Sequence, residues 1–411
     1  MLTDIAECQL CLPGYYCDLT ALEYPRGLCD AGFYCTEGSN SSNPSLTTAT
    51  GGPCPVGTYC ETGSSQPVNC VAGTYNNLEQ QQSCLDCPVG YYCEEKAIST
   101  TECAPSHGVV TPKVCPAGFY CYNGTKTDRE YPCPLGTYSN TTSLESLTEC
   151  RDCPPGYYCE AENITEPTSK CFAGYYCVLA SATPAPSLSS VGGPCPQGTY
   201  CPKGSSQTIP CPQGTYGDRP LLTALSECSV CPPGEYCAIS GLSAPNGSCL
   251  AGYFCTNASE EANPVGKSYG DECPVGYYCP DHSYQPTACP AGTYQPFNRR
   301  VNDSDCIPCS PGKFCNITGA GQEAGDCNEG FYCIGRASAP SPYDGITGNI
   351  CPSGSYCPVA SPQHYYCPNG TYTNHSGAAV CYDCPDGHYC VNRDRADPCL
   401  PGMFDVILGE I

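Results

Sequence analysis

Apolar positions along this chain do not gather into runs. They fall one or two at a time, most often inside a short pattern in which Cys, Gly, an aromatic ring and a second Cys hold fixed places, as in Cys54-Pro55-Val56-Gly57-Thr58-Tyr59-Cys60. Regular structure is therefore predicted to be sparse. Leu144 and Leu147 before Cys150, Leu222 and Leu225 before Cys228, and Leu2 and Ile5 before Cys8 stand at i and i+3, enough for one amphipathic helical turn each. Elsewhere the pattern predicts turns and two-stranded ribbons. Within the pattern, Pro55 fixes its own φ and Gly57 accepts φ > 0, so the chain reverses between the two sulfurs. Tyr59 offers a flat face to a neighbouring disulfide or proline ring while its hydroxyl stays wet.

The form C-x2-G-x-(Tyr or Phe) occurs 21 times, and in 15 of these a second Cys follows six residues after the first. In the other six, opening at Cys70, Cys133, Cys211, Cys289, Cys367 and Cys399, the closing position is not Cys, and five of them run 13 to 16 residues to a C-x2-C pair. That alternation defines a larger unit. Its spacing returns at Cys150, Cys228 and Cys306 with a period of 78 residues, the signature of an array whose modules mainly touch their neighbours. The units run 1–83, 84–149, 150–227, 228–305 and 306–380, with a partial sixth over 381–411. The second is degenerate: Cys103 opens Cys-Ala-Pro-Ser-His-Gly-Val, with Ser106 where Gly is expected and Val109 where the closing Cys is expected. Connectors such as Gly38 to Pro53 and Leu179 to Pro194 are rich in Ser, Thr, Pro and Gly, and read as exposed, O-glycosylated loops.

Composition explains why such a chain needs cross-links. Leu, Ile, Val and Phe make up about one residue in seven and the net charge is -24, a balance at which burial alone does not offset the ordering entropy. The 43 Cys supply the alternative, since each disulfide contributes about 2–4 kcal/mol by restricting the unfolded chain. Disulfides require an oxidising compartment, so the chain is expected outside the cell or at its surface. Asn-x-Ser/Thr sequons at Asn40, Asn123, Asn140, Asn163, Asn246, Asn257, Asn302, Asn316, Asn369 and Asn374 exceed the chance number and predict covalent N-glycans. No apolar stretch approaches a membrane span, and MLTDIAEC carries no secretory signal, which together read as a processed chain or a segment of a longer one. The acidic balance argues against nucleic acid.

Two pairings fit the cysteines. One closes each C-x5-C on itself, Cys54 to Cys60 and Cys87 to Cys93 among them, and joins Cys70 to Cys84, Cys133 to Cys150, Cys211 to Cys228, Cys289 to Cys306 and Cys367 to Cys381; it leaves Cys8, Cys103 and Cys399. The other interleaves adjacent elements and leaves Cys93 alone instead of Cys103. Cys399 opens an element that stops before its closing C-x2-C, and Cys8 to Cys11 is such a pair, so the two ends read as halves of one module that meet within a longer polypeptide or between subunits. Catalytic and metal readings are weaker. The C-x2-C pairs recur 66 to 78 residues apart rather than as a tetrahedral set. His107, His282, His364, His375 and His388 share no recurring position, and Asp303-Ser304-Asp305 lacks the spacing of a calcium loop. No catalytic residue, cofactor or metal site is assigned.

CPxGTY followed by C-x2-C-P-x-G-Y-Y-C, seen at Cys211 to Tyr216 and Cys228 to Cys237, resembles the ephrin-receptor-like cysteine-rich repeat and, more loosely, the tumour-necrosis-factor-receptor cysteine-rich domain. The resemblance covers essentially the whole chain and implies a thin ladder of disulfide-bonded ribbons without enzymatic activity; no ligand-binding residue carries over. By composition the chain is also similar to large protist surface proteins and algal flagellar-hair glycoproteins. The expected fold is an elongated array of small disulfide-rich repeats, short β-ribbons and turns with little helix. The expected function is an extracellular structural glycoprotein that self-assembles head to tail into a filament or surface coat. The alternative is the stalk or ligand-binding ectodomain of a surface receptor or adhesin.

Overall fold

A computed structural model describes residue 5 and residues 8–45, 49–94 and 111–403. Among these the chain forms nineteen two-stranded antiparallel sheets of two or three residues per strand, with single 3-10 turns at Leu147–Glu149, Leu225–Glu227 and Asp303–Asp305. Among the described residues there are twenty disulfides: fifteen close a C-x5-C element on itself, and five make the long closures from Cys70–Cys84 to Cys367–Cys381. The interleaved pairing is not adopted. Two compact units divide the chain, Met1–Cys195 with Cys201–Thr208, and Pro196–Tyr200 with Ile209–Ile411.

Each C-x2-G-x-(Tyr/Phe) element, or tile, folds for local reasons. In the Cys54 tile the Thr58 amide and the Thr58 hydroxyl both donate to the Pro55 carbonyl, at 3.1 and 2.7 Å. Gly57 between them sits at φ +78, the left-handed position a type II turn requires. The reversal brings the Cys54 and Cys60 Cα atoms to 5.9 Å, within disulfide reach. Thr58 and Tyr59 then form one strand, and the residues just before the next opening Cys, Val68 and Asn69, return antiparallel to it. A strand pair this short has little to bury, and the aromatic position supplies it. Tyr16, Tyr176, Tyr236 and Phe314 each stand opposite a glycine on the returning strand, Gly27, Gly193, Gly247 and Gly325, and cover it with the ring. The same aromatic packs on the next tile's disulfide: Tyr75 against Cys87 and Cys93, and Phe314 against Cys327 and Cys333. Sulfur fills the interior, since most disulfide cysteines are wholly buried while Leu144 and Leu222 are the buried leucines among the described residues.

Two expectations need correction. The leucine pairs do not share one buried face: Leu144 and Leu222 are buried, whereas Leu147 and Leu225 are 44% and 52% exposed. The 3-10 turn begins at the second leucine and turns it outward, while the first sits against the disulfide, as Leu222 does with Cys211 and Cys228. Ile5 is exposed, and Leu2 lies outside the described residues. The Ser/Thr/Pro connectors are not simply exposed loops either. Pro44, Pro186, Pro264 and Pro342 are buried, each over the glycine that precedes the next tile, Gly51, Gly192, Gly270 and Gly348. Only a residue without Cβ leaves room for the ring there, so each connector is pinned at its middle.

Candidate functional site

The chemistry that recurs in both units is a seat built on the tile glycine. In the first unit, the Gly14 amide donates to the Cys35 carbonyl and the Gly14 carbonyl accepts from the Cys29 amide, at 2.8 and 2.9 Å; Gly32 makes the same two bonds to Cys60 and Cys54. In the second unit, Gly234 bonds Cys255 and Cys249, and Gly312 bonds Cys333 and Cys327. One glycine therefore grips both cysteines of the following tile. The tile after that adds a third contact. Three or four residues past its closing position lies a residue with positive φ, and the carbonyl of that residue rests on the glycine. A methyl built on Gly73 would meet the Gly124 carbonyl oxygen at 2.6 Å, one on Gly90 that of Ser143 at 2.8 Å, and one on Gly234 that of His282 at 2.6 Å. Gly124, Ser143 and His282 have φ of +79, +64 and +67. The Cys70, Cys87 and Cys231 tiles are thus each locked by the next two.

The residue after this left-handed position carries a second recurring contact. Ser39, Ser181, Ser205, Ser259, Ser283 and Ser361 accept, through their carbonyls, the amide of the closing Cys of the preceding tile. Their hydroxyls are turned inward to backbone carbonyls, as with Ser259 to Glu261 at 3.0 Å and Ser361 to Pro358 at 2.6 Å. The sequence carries the signal as C-x2-(Gly/Ala)-Ser in CTEGS, CVLAS, CPKGS, CTNAS and CPVAS.

On either side of the degenerate segment the tiles bond to each other. Gly90 takes its two next-tile bonds from Cys121 and Cys115, and Cys93 donates to Thr125, so the Cys87 tile engages the Cys115 tile directly. Cys103, with Ser106, His107 and Val109, lies in 95–110, outside the described residues. Among the described residues the free thiols are Cys8, exposed, and Cys399, half-buried.

Side chains with catalytic or ligating chemistry have structural partners here. No group of three or more His, Cys, Asp or Glu is arranged to hold a metal ion among the described residues. The Asp305 carboxylate accepts the Val301 and Asn302 amides at 2.9 and 3.2 Å and caps the 3-10 turn. His364 packs between Tyr332 and Tyr366, with ring centroids at 5.3 and 5.4 Å, and His375 stacks on Tyr382. His388 meets the Asp386 carbonyl and His282 the Ser248 hydroxyl. Asp344 accepts the amides of Ile346 and Thr347 and the Thr347 hydroxyl. The Thr347 hydrogen bonds, side chain first, pull its pKa down to about 2. A shallow concavity over Glu160–Thr168 is the inner side of a single loop.

All ten sequon asparagines are exposed. Their hydroxyl partners differ. Thr125 and Ser259, which complete the sequons of Asn123 and Asn257, are 1% and 0% exposed, because they occupy the inward Ser/Thr position of the tile.

Twenty disulfides, no helix long and apolar enough to cross a membrane among the described residues, and an interior of sulfur define a disulfide-rich, all-β repeat protein. That build is typical of extracellular cysteine-rich chains and of structural proteins rather than enzymes. No protein-family model matches the chain, and no curated sequence matches it.

Proposed function

We propose that the chain is a structural glycoprotein of the cell exterior, a tile of the ephrin-receptor-like kind repeated into a rod whose ends join head to tail in a filament or surface coat. The observation that carries this reading is the seat itself. Tile stacking is specified by backbone groups and one glycine, so any tile face of the same build can receive another. Cys399 and Cys8 are unpaired. A Cys399 to Cys8 bond between copies would complete one long-closure tile.

The test is negative-stain imaging and non-reducing electrophoresis of purified chain beside C8S and C399S variants. Disulfide-linked polymers that both variants abolish support the reading. A wild-type chain that stays monomeric at high concentration overturns assembly through these ends and leaves the stalk of a receptor or adhesin as the better account.

A further inference from the structure

One tile carries an aromatic group that its sisters lack. The Cys115 tile reads Gly118-Phe119-Tyr120-Cys121-Tyr122, and the returning segment reads Glu130-Tyr131-Pro132. Phe119 bridges Pro132 antiparallel, and the Tyr120 amide donates to the Tyr131 carbonyl at 3.0 Å. Tyr120 and Tyr122 are two residues apart and Tyr131 is across the ribbon, so period-two alternation puts all three rings on one face. Cys121, between them, points inward and is 1% exposed. The ring centroids lie 5.2 Å apart for Tyr120 and Tyr122, 5.3 Å for Tyr122 and Tyr131, and 5.7 Å for Tyr120 and Tyr131, the last pair stacked at 26°. Tyr122 is 42% exposed and the other two are half-buried. Rings packed against one another and half covered do not offer the open flat face on which a sugar stacks. They do place phenols where two can join.

We propose that Tyr120, Tyr122 and Tyr131 form a site of oxidative tyrosine coupling, with hydrogen peroxide and a haem peroxidase as the co-reactants. Peroxide removes one hydrogen atom from each of two phenols and is reduced to two waters. The two phenoxyl radicals join through the ring carbons ortho to oxygen, and each ring returns its displaced ortho hydrogen to its own oxygen. The product is a biaryl bond with both hydroxyls kept and two hydrogens lost overall. Tyr131 is the first to be oxidised, because the neighbouring Glu130 carboxylate favours loss of an electron and accepts the proton. The charge of Glu130 also raises the Tyr131 pKa, so at neutral pH the phenol carries the hydrogen that the step removes. The bond would tie the outgoing strand of the Cys115 tile to the strand entering the Cys133 tile, a covalent closure where no disulfide crosses.

Trypsin separates the partners. Cleavage at Lys113, Lys126, Arg129 and Arg151 puts Tyr120 and Tyr122 on one peptide and Tyr131 on another. Cys115–Cys121 lies wholly within the first and Cys133–Cys150 wholly within the second. Full-length chain treated with peroxide and a haem peroxidase at low protein concentration should therefore yield these two peptides joined, lighter by two hydrogens, with dityrosine fluorescence. Y131F keeps the ring and its packing, and should lower that product at least tenfold; Y356F, in the tilted Tyr356–Tyr365 pair at 5.8 Å, should leave it unchanged. Coupling that occurs equally at other tyrosines, only between chains, or undiminished in Y131F overturns the proposal.

Discussion

Replacing Gly234 with alanine separates the tile seat from ordinary backbone strain. Gly234 has φ +84, and a methyl there lies 2.6 Å from the His282 carbonyl oxygen and 3.0 Å from the His282 ring. The left-handed conformation alone costs an alanine about 1–2 kcal/mol. The carbonyl cannot retreat freely, because the His282 amide is bonded to Cys249 at 3.0 Å, so overpacking adds about 1–3 kcal/mol. Gly345 is the control: φ +70, with nothing within 4 Å of its Cβ position, so Gly345→Ala carries the first cost without the second. Hydrogen exchange is the suitable assay, because a repeat array need not unfold as one unit. The amides to follow are Cys249, bonded to the Gly234 carbonyl at 2.8 Å, and Gly234, bonded to Cys255 at 2.9 Å. A local loss of about 1–3 kcal/mol beyond the control corresponds to exchange roughly 5- to 150-fold faster at those amides. Equal effects of the two substitutions on amides one tile away, or no acceleration at Cys249, would refute the seat as the contact that orders the tiles.

Alkylation of denatured, unreduced chain should leave Cys93, bonded to Cys87, unlabelled in peptide mass maps; labelling of Cys93 would restore the interleaved pairing. The Asp344 carboxylate has a folded-state pKa lowered to about 2, so its contribution is complete above the ordinary carboxylate range and is lost as pH falls through about 2. Protection of the Ile346 and Thr347 amides relative to their intrinsic exchange rates should accordingly fall between pH 4 and pH 2, and Asp344→Ala should flatten that dependence. If the sequons are used, Asn123 and Asn257 must be modified before their tiles close, because Thr125 and Ser259 are then buried. Expression with a lumenal reductant should raise occupancy at these two sites and leave Asn140 and Asn316, whose Thr142 and Thr318 are exposed, unchanged; a uniform rise contradicts the order.

The tile was legible because its residues act at short range. Pro55, Gly57, Tyr59 and the flanking cysteines fold one turn and one ribbon among themselves, and spacing is enough to read them. The seat was not, because its second half lies two tiles further on. Nothing local marks Ala258, His282 or Arg299 as left-handed; only the recurrence of C-x2-(Gly/Ala)-Ser after the closing Cys would have exposed that position. The buried connector prolines escaped for a related reason. Ser/Thr/Pro composition indicates exposure on average, and Pro186 is an exception created by one glycine, Gly192, opposite it. Leu147 and Leu225 show the limit of periodicity in so short a turn: two residues at i and i+3 fix no face when a disulfide already claims the first.

The passage from the Cys87 tile to the Cys115 tile shows where this chain tolerates change in length. Registration depends on what lies between a tile's opening cysteine and its left-handed residue, and the stretch before the next opening cysteine varies in length, with 9 residues between Cys60 and Cys70 and 21 between Cys93 and Cys115. Insertions there should be nearly silent to inheritance, and single-residue deletions inside a tile should be purged. Descendants of such a gene would then differ mainly by whole tiles gained or lost and by the size of the links between them.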